Sequence, residues 1–191
     1  MATHLYIIAG CNGAGKTTAS KTLLPKSLLV KEFVNADEIA KGLSPFNPEG
    51  VAIEAGRLML HRIDELLAMN ESFSIETTLA TRSYVNLVHR AHEKGYQVHL
   101  LFFWLDSIEL AKKRVAKRVS KGGHNIPADI IERRYRMGLK NLFSIFMKEV
   151  DVWTIYDNTN DSSRMIAFGG KNICTNINDA QTFEKIKDYE R

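Results

Sequence analysis

Little in this sequence points beyond a reducing, membrane-free setting. Only two cysteines occur, Cys11 and Cys174, and Cys11 lies inside a glycine-rich loop. That placement argues against a disulfide framework and suits a reducing compartment. No apolar run approaches the ~20 residues of a membrane-spanning helix. The chain enters its first strand directly, without the features of a secretory leader. Four prolines and no linker or low-complexity tract lead to the expectation of one domain over 1–191. Neither sign of charge dominates. A net charge of +4 and a pI near 9.0 suit a phosphorylated or nucleic-acid partner without requiring either. There is no N-K-x-D element, which a guanine-reading switch needs. A single acid, Asp106, follows the most apolar run, where a remodelling ATPase carries two. A cytoplasmic protein is expected.

What is present begins near the N-terminus. Gly10-Cys11-Asn12-Gly13-Ala14-Gly15-Lys16-Thr17 fits G-x-x-x-x-G-K-[ST], the loop whose backbone N–H groups wrap a nucleotide's phosphates. Glycine is needed where the chain takes left-handed angles against phosphate oxygens. Lys16 is placed to reach the β- and γ-phosphates and the Thr17 hydroxyl to stand on Mg²⁺. Thr18 completes the nucleotide-binding set. His4 to Ala9 reads as a short buried strand before the loop and Lys16 to Leu24 as a helix after it. That is the arrangement an anion site requires. Binding of a nucleoside triphosphate, ATP with Mg²⁺, is expected.

Leu28 to Asn35 offers a second strand, running into Asn35-Ala36-Asp37. A carboxylate just past a strand end faces the same edge of a parallel sheet as the phosphate loop. Asp37 is therefore the leading catalytic candidate, either as base toward an attacking hydroxyl or as a holder of Mg²⁺. Alternatively it caps a helix beginning at Glu38. Gly42 to Pro48, with two prolines, either shapes a substrate pocket or is a rigid connector. Glu49 to Asn70 is helical, with Ala55, Met59, Ile63, Leu66 and Leu67 on one face. Ser72 to Thr78 alternates as a strand and puts Glu76 at its C-terminal end. There Glu76 can accept hydrogen bonds from substrate hydroxyls, supported by Thr77 and Thr78, and Arg82 suits a phosphate.

Thr81 to Lys94 reads as a helix closed by Gly95. Gln97 to Leu105 is a continuous apolar run, suited to a central parallel strand. Asp106 and Ser107 are read as the cap of the helix Ile108 to Ser120. That helix carries Lys112, Lys113, Arg114, Lys117 and Arg118, then breaks at Gly122-Gly123. A second, from about Ala128, carries Arg133, Arg134 and Arg136. Two basic helices about a Gly-Gly hinge read as a lid, over about residues 112–136, that closes on the transferred phosphate. Its arginines would stabilise the charge on the equatorial oxygens. Arg118 and Arg134 lead, and Arg114 and Arg133 follow. His124, in the hinge loop, either touches substrate or stabilises the turn. A basic patch for nucleic acid accounts for the same charges. Val150 to Tyr156 is the last parallel strand, and the Asp157-Asn158-Thr159 that follows is an adenine-side candidate. Arg164 to Gly170 offers an edge strand and Thr182 to Tyr189 a terminal helix. Alternating strands and helices predict an α/β fold, a mostly parallel sheet with helices on both faces.

With the phosphate loop, Val34-Asn35-Ala36-Asp37, Ile75-Glu76-Thr77-Thr78 and the Arg118 to Arg134 lid in place, the chain resembles the zeta-toxin family of P-loop kinases over about residues 4–158. The resemblance implies a three-layer P-loop kinase fold. It implies that Lys16 and Thr17 serve the ATP phosphates and that Asp37 is the base toward a sugar hydroxyl. It further implies that Glu76 holds the substrate and that Arg118, with Arg133 or Arg134, neutralises the moving phosphoryl group. The best-known activity it implies is phosphorylation of UDP-N-acetylglucosamine, a small-molecule acceptor, and that family often has a protein antitoxin. The alternative is a nucleic-acid-binding protein or polynucleotide 5′-kinase.

Overall fold

Among the described residues five of seven strands run the same way, and this decides where the chemistry sits. The computed structural model describes residues 2–26, 30–123, 125–160 and 162–190. Strands β1 (His4–Ala9), β2 (Glu32–Val34), β3 (Phe73–Thr77), β4 (Gln97–Trp104) and β5 (Val152–Asp157) are joined in parallel. Strands β6 (Arg164–Gly170) and β7 (Ile173–Ile177) follow antiparallel. The order across the sheet is β2-β3-β1-β4-β5-β6-β7. All five parallel strands therefore end on one edge, where an open α/β sheet places its ligands.

The strands form where apolar residues are continuous. In β1, Leu5, Ile7, Ile8 and Ala9 are fully buried, and in β4 so are Val98 and Leu100. Burying one such Leu or Ile stabilises the fold by about 1.5–3 kcal/mol. Helices α1 (Lys16–Lys26), α2 (Ala36–Leu43), α3 (Ala52–Met69) and α4 (Tyr84–Glu93) alternate with the first strands. The buried side chains of α3 are Ala55, Met59, Ile63, Leu66 and Leu67, the stripe legible in the sequence. Helices α5 (Ile108–Val119) and α6 (Ala128–Asn141) pack against each other. A π-helical turn at Leu142–Phe146 leads into the short α7 (Met147–Glu149), and α8 (Ala180–Lys187) runs into a closing 3-10 turn at Asp188–Glu190. Among the described residues no helix is long and apolar enough to cross a membrane.

Several expectations need correction. Strand β2 is much shorter than Leu28 to Asn35; residues 27–29 lie outside the described residues, as does His124. Arg164 to Gly170 is not the edge strand, because β7 pairs outside it. All five β7 residues are exposed, so no buried face marked it in the sequence. Gly122 and Gly123, the expected hinge, also close the C-terminal end of α5. Gly122 has φ +82°, its N–H donates to Val119 O, and the Gly123 N–H reaches back to Arg118 O at 3.0 Å. This double bond is the usual glycine closure of a helix C-terminus.

One turn at the functional edge is strained. Leu79, just past β3, has φ +59°, which costs an L side chain about 1–3 kcal/mol. It is held by Thr77 Oγ1, which accepts from the Leu79 N–H at 3.0 Å, and by Asn141 Nδ2, which donates to Leu79 O at 2.8 Å. Gly138, three residues before Asn141, lies so close that a Cβ there would stand 2.6 Å from Thr78 O. Asn141→Ala would leave the Leu79 carbonyl without this donor in a fully buried setting. It is expected to lower stability by about 1–3 kcal/mol in urea titration. An unshifted midpoint would show that the turn is held by other means.

Candidate active site

The glycine-rich loop leaves β1 at Gly10 and enters α1 at Lys16. Gly10 has φ +142° and packs against the Phe103 backbone, leaving no space for a side chain. Gly15, at φ +81°, takes the left-handed turn before the helix. The loop thus presents its N–H groups at the N-terminus of α1, where backbone donors and the helix dipole favour an anion.

Lys16 is 7 % exposed, and an ammonium so buried needs partners. Its Nζ donates to Cys11 O at 3.1 Å and lies 3.6 Å from Glu76 Oε1. The other Glu76 oxygen accepts from Thr17 Oγ1 at 2.8 Å and from Asn35 Nδ2 at 2.9 Å. Glu76 is thus the hub of the cleft, tying β3 to the phosphate loop and to the end of β2. The sheet order explains it: β3 is the direct neighbour of β1, and Glu76 lies level with Ile8. The Cys11 thiol, also buried, is pushed up to about 11 by burial, so it stays protonated and inert.

Asn35 does the capping that Asp37 was the alternative candidate for. Helix α2 begins at Ala36, and Asn35 Oδ1 accepts from the Asp37 and Glu38 N–H groups at 2.8 and 3.4 Å. Asp37 itself stands in the first turn, exposed, on the wall of the cleft. The cleft has a volume of about 420 Å³. It is lined by residues of the loop from Asn12 to Thr18 and by Asp37, Glu76, Thr77, Thr78 and Tyr84. Arg114, Arg118 and Arg134 also line it. A side recess of about 70 Å³ joins Asp37 and Lys41 to Pro48 and Ala52, so the end of the proline loop borders the acid's side of the cleft.

The arginines divide. Arg134 of α6 faces the loop, its Nη1 3.3 Å from Asn12 Oδ1, whereas the neighbouring Arg133 is exposed and not part of the cleft wall. Arg118 lines both this cleft and a neighbouring cavity of about 430 Å³ lined by Lys41, Arg114, Lys117, Lys121, Gly122 and Gly123. Arg114 has a structural engagement, donating to Asn158 O and Thr159 O at 2.9 Å each. Part of the basic surface is neutralised internally: Glu132 accepts from Lys112 at 3.1 Å and Arg136 at 3.0 Å. Those bonds hold its carboxyl below the usual range. Arg82 is exposed and does not line the cleft, whereas Thr81 and Tyr84 do. Asp106 is likewise outside the wall, and the helix cap is Ser107, whose Oγ accepts from the Leu110 N–H at 3.2 Å.

Sequence reading did not single out Tyr84 or the capping role of Asn35. The asparagine was detectable, since an Asn directly before Ala-Asp-Glu is a common helix-start signal. Tyr84 carried no local signal. Burial raises its phenol pKa, and it is hydrogen-bonded to Thr77.

A phosphate-binding loop on β1, a neighbouring acid on β3 and basic helices over the cleft define a P-loop kinase fold. The family model for zeta toxin matches residues 2–166. The chain belongs to the zeta toxin family. It is 32 % identical over 135 residues to a Haemophilus influenzae protein described as uncharacterized, covering 71 % of this chain and 94 % of that one. Among solved structures it is similar to a chain of the AvrRxo1-ORF1:AvrRxo1-ORF2 complex with sulphate ions, with a TM-score of 0.81 at 17 % identity. All of this chain is covered there, and it spans 65 % of the length of that chain. The same complex has been solved with ATP. The PezAT toxin–antitoxin system of Streptococcus pneumoniae is similar at TM-score 0.69 and 15 % identity, with 99 % of this chain and 84 % of that one covered. These solved structures share the fold of this chain.

Proposed function

We propose that this protein transfers the γ-phosphoryl group of ATP to a hydroxyl of a small molecule. The observation that carries the reading is the Glu76 hub, which brings Lys16, Thr17 and Asn35 together while Asn35, not Asp37, caps α2. That arrangement leaves the Asp37 carboxylate available on the wall of the cleft that the phosphate loop also lines.

In the proposed reaction the loop N–H groups and Lys16 hold the β- and γ-phosphates. Asp37 accepts the proton of the acceptor hydroxyl as its oxygen bonds to the γ-phosphorus. The bond from that phosphorus to the β–γ bridging oxygen breaks, and ADP leaves. Arg118 and Arg134 stabilise the charge spread over the transferred group, a matter of positioning and electrostatics. Mg²⁺ fits the residues present, because it usually takes one or two protein oxygens beside phosphates and water. Thr17 Oγ1 and Glu76 Oε2, 2.8 Å apart, would supply them. When bound, the ion would neutralise charge on the β- and γ-oxygens.

The acceptor proposed for first trial is a UDP-amino sugar, on the family membership. A protein antitoxin is proposed as a partner, since PezAT is a toxin–antitoxin system. The five basic side chains lining the second cavity favour one other reading, 5′-phosphorylation of a polynucleotide. Incubation with labelled ATP and a panel of UDP-sugars, other small hydroxyl compounds and RNA 5′-ends, read by mass spectrometry, separates them. Binding that weakens steeply between low and moderate salt would mark a tracked nucleic-acid backbone; a small-molecule kinase is expected to lack that dependence. Lys16→Ala is expected to weaken ATP binding at least tenfold, roughly the worth of one charge-assisted hydrogen bond, read by calorimetric titration. Undiminished affinity would overturn the phosphate-loop assignment.

A further inference from the structure

A phosphate-binding loop has a requirement that its glycines do not meet. For its N–H groups to point inward at an anion, the intervening carbonyls must point outward. Each outward carbonyl then needs a donor of its own. Without one, a peptide next to a glycine is free to flip, because glycine accepts either sign of φ at little cost. A flipped peptide would turn its oxygen toward the phosphates and withdraw the N–H.

The Ala14–Gly15 peptide is such a unit, and the structure shows what holds it. Asn158 Nδ2 donates to Ala14 O at 2.6 Å, across 144 positions of sequence. The contact is close on the Gly15 side as well, since a Cβ there would stand 2.7 Å from Asn158 Nδ2. Asn158 is itself fixed at every polar atom. Its N–H donates to Trp104 O at 2.9 Å, its carbonyl accepts from Arg114 Nη1 at 2.9 Å, and its Oδ1 accepts from Ser163 Oγ at 2.5 Å. The Ala14 carbonyl can only accept, so it requires the nitrogen end of the carboxamide, and the Ser163 bond at the oxygen end holds the carboxamide in that orientation.

We infer that Asn158 is a positioning residue that locks the Ala14–Gly15 peptide so that the Gly15 N–H faces the phosphates. The inference rests on the reading that this loop binds ATP. It replaces the expectation that the stretch after β5 reads adenine. It also gives Arg114 of α5 a role, since the arginine clamps the carbonyls of Asn158 and Thr159 and so joins the basic helix to the loop.

The test compares two ligands, ATP and inorganic tripolyphosphate, each titrated with Mg²⁺ into the full chain. With wild-type circular dichroism preserved, Asn158→Ala is expected to weaken both by a similar factor, about tenfold, as for a carbonyl stripped of its donor. Ser163→Ala changes an exposed side chain and is expected to weaken both about threefold by letting the carboxamide rotate. It also keeps the inference testable if Asn158→Ala does not fold. Weakening confined to ATP would overturn the inference in favour of a base-reading role. Equal affinities for variants and wild type would overturn it in favour of a purely structural one. Failure of the wild type itself to bind either ligand would instead overturn the ATP reading, and this inference with it.

Discussion

Asp37→Asn is expected to lower phosphoryl transfer by about 10²–10⁴-fold, the usual worth of a general base, while ATP still binds. The amide keeps the size and position of the carboxylate but cannot take a proton from the acceptor hydroxyl. The fold supplies the control. Because Asn35 provides the cap of α2, Asp37 contributes to stability mainly through its charge near the helix N-terminus, about 0.3–1 kcal/mol. The variant should therefore melt close to the wild type. Single-turnover transfer to an accepted substrate, beside ATP titration and thermal melting, reads all three quantities. Near-normal turnover would reduce Asp37 to a first-turn charge, and a large fall in stability would make it a structural residue.

Removal of Arg134 is expected to have the other large effect. Arg134→Ala should lower kcat by about 10³-fold, the lower end of what an arginine at a transferring phosphoryl group contributes. ATP affinity should change little, since the loop and Lys16 carry ground-state binding. Arg134→Lys should recover only part of the loss, because a lysine supplies a point charge in place of a planar fork. The structure separates Arg134 from its neighbour: it faces Asn12 of the loop, while Arg133 is exposed outside the cleft. Arg133→Ala is accordingly expected to leave kcat near the wild-type value. If the two alanine variants behaved alike, the direction in which α6 presents its arginines would be wrong. If Arg134→Ala affected only binding, its transition-state role would fall.

Much of the framework was legible because it rests on local rules. The phosphate loop, the strand before it and the helix after it follow from glycine spacing and a short apolar run, and the structure reproduces His4–Ala9 and the helix start at Lys16. The stripe of α3 and the apolar run of β4 were equally plain. Strand β7 was missed because none of its residues is buried. The surroundings of Arg82 were not legible, because a basic residue near a strand end looks the same whether it faces the cleft or solvent; it is exposed and does not line the cleft. The helix closure at Gly122-Gly123 was not distinguished from a hinge, because both use the same residue for the same conformational freedom.

The sequence by itself determined the chemistry on offer: a phosphate cradle with its lysine and threonine, acids at or just past two strand ends, and a supply of arginines. Those follow from residue identity and short spacing, the range over which backbone geometry is predictable. The tertiary structure decided which groups meet. That Glu76 bridges Lys16, Thr17 and Asn35 depends on β3 lying beside β1. That Asn158 reaches Ala14 depends on β5 ending at the same edge two strands away. A hydrogen bond acts over about 3 Å, and no sequence interval encodes that distance. It arises when strands remote in the chain become neighbours in the sheet, which is why the cradle was visible at once and the donor that steadies it was not.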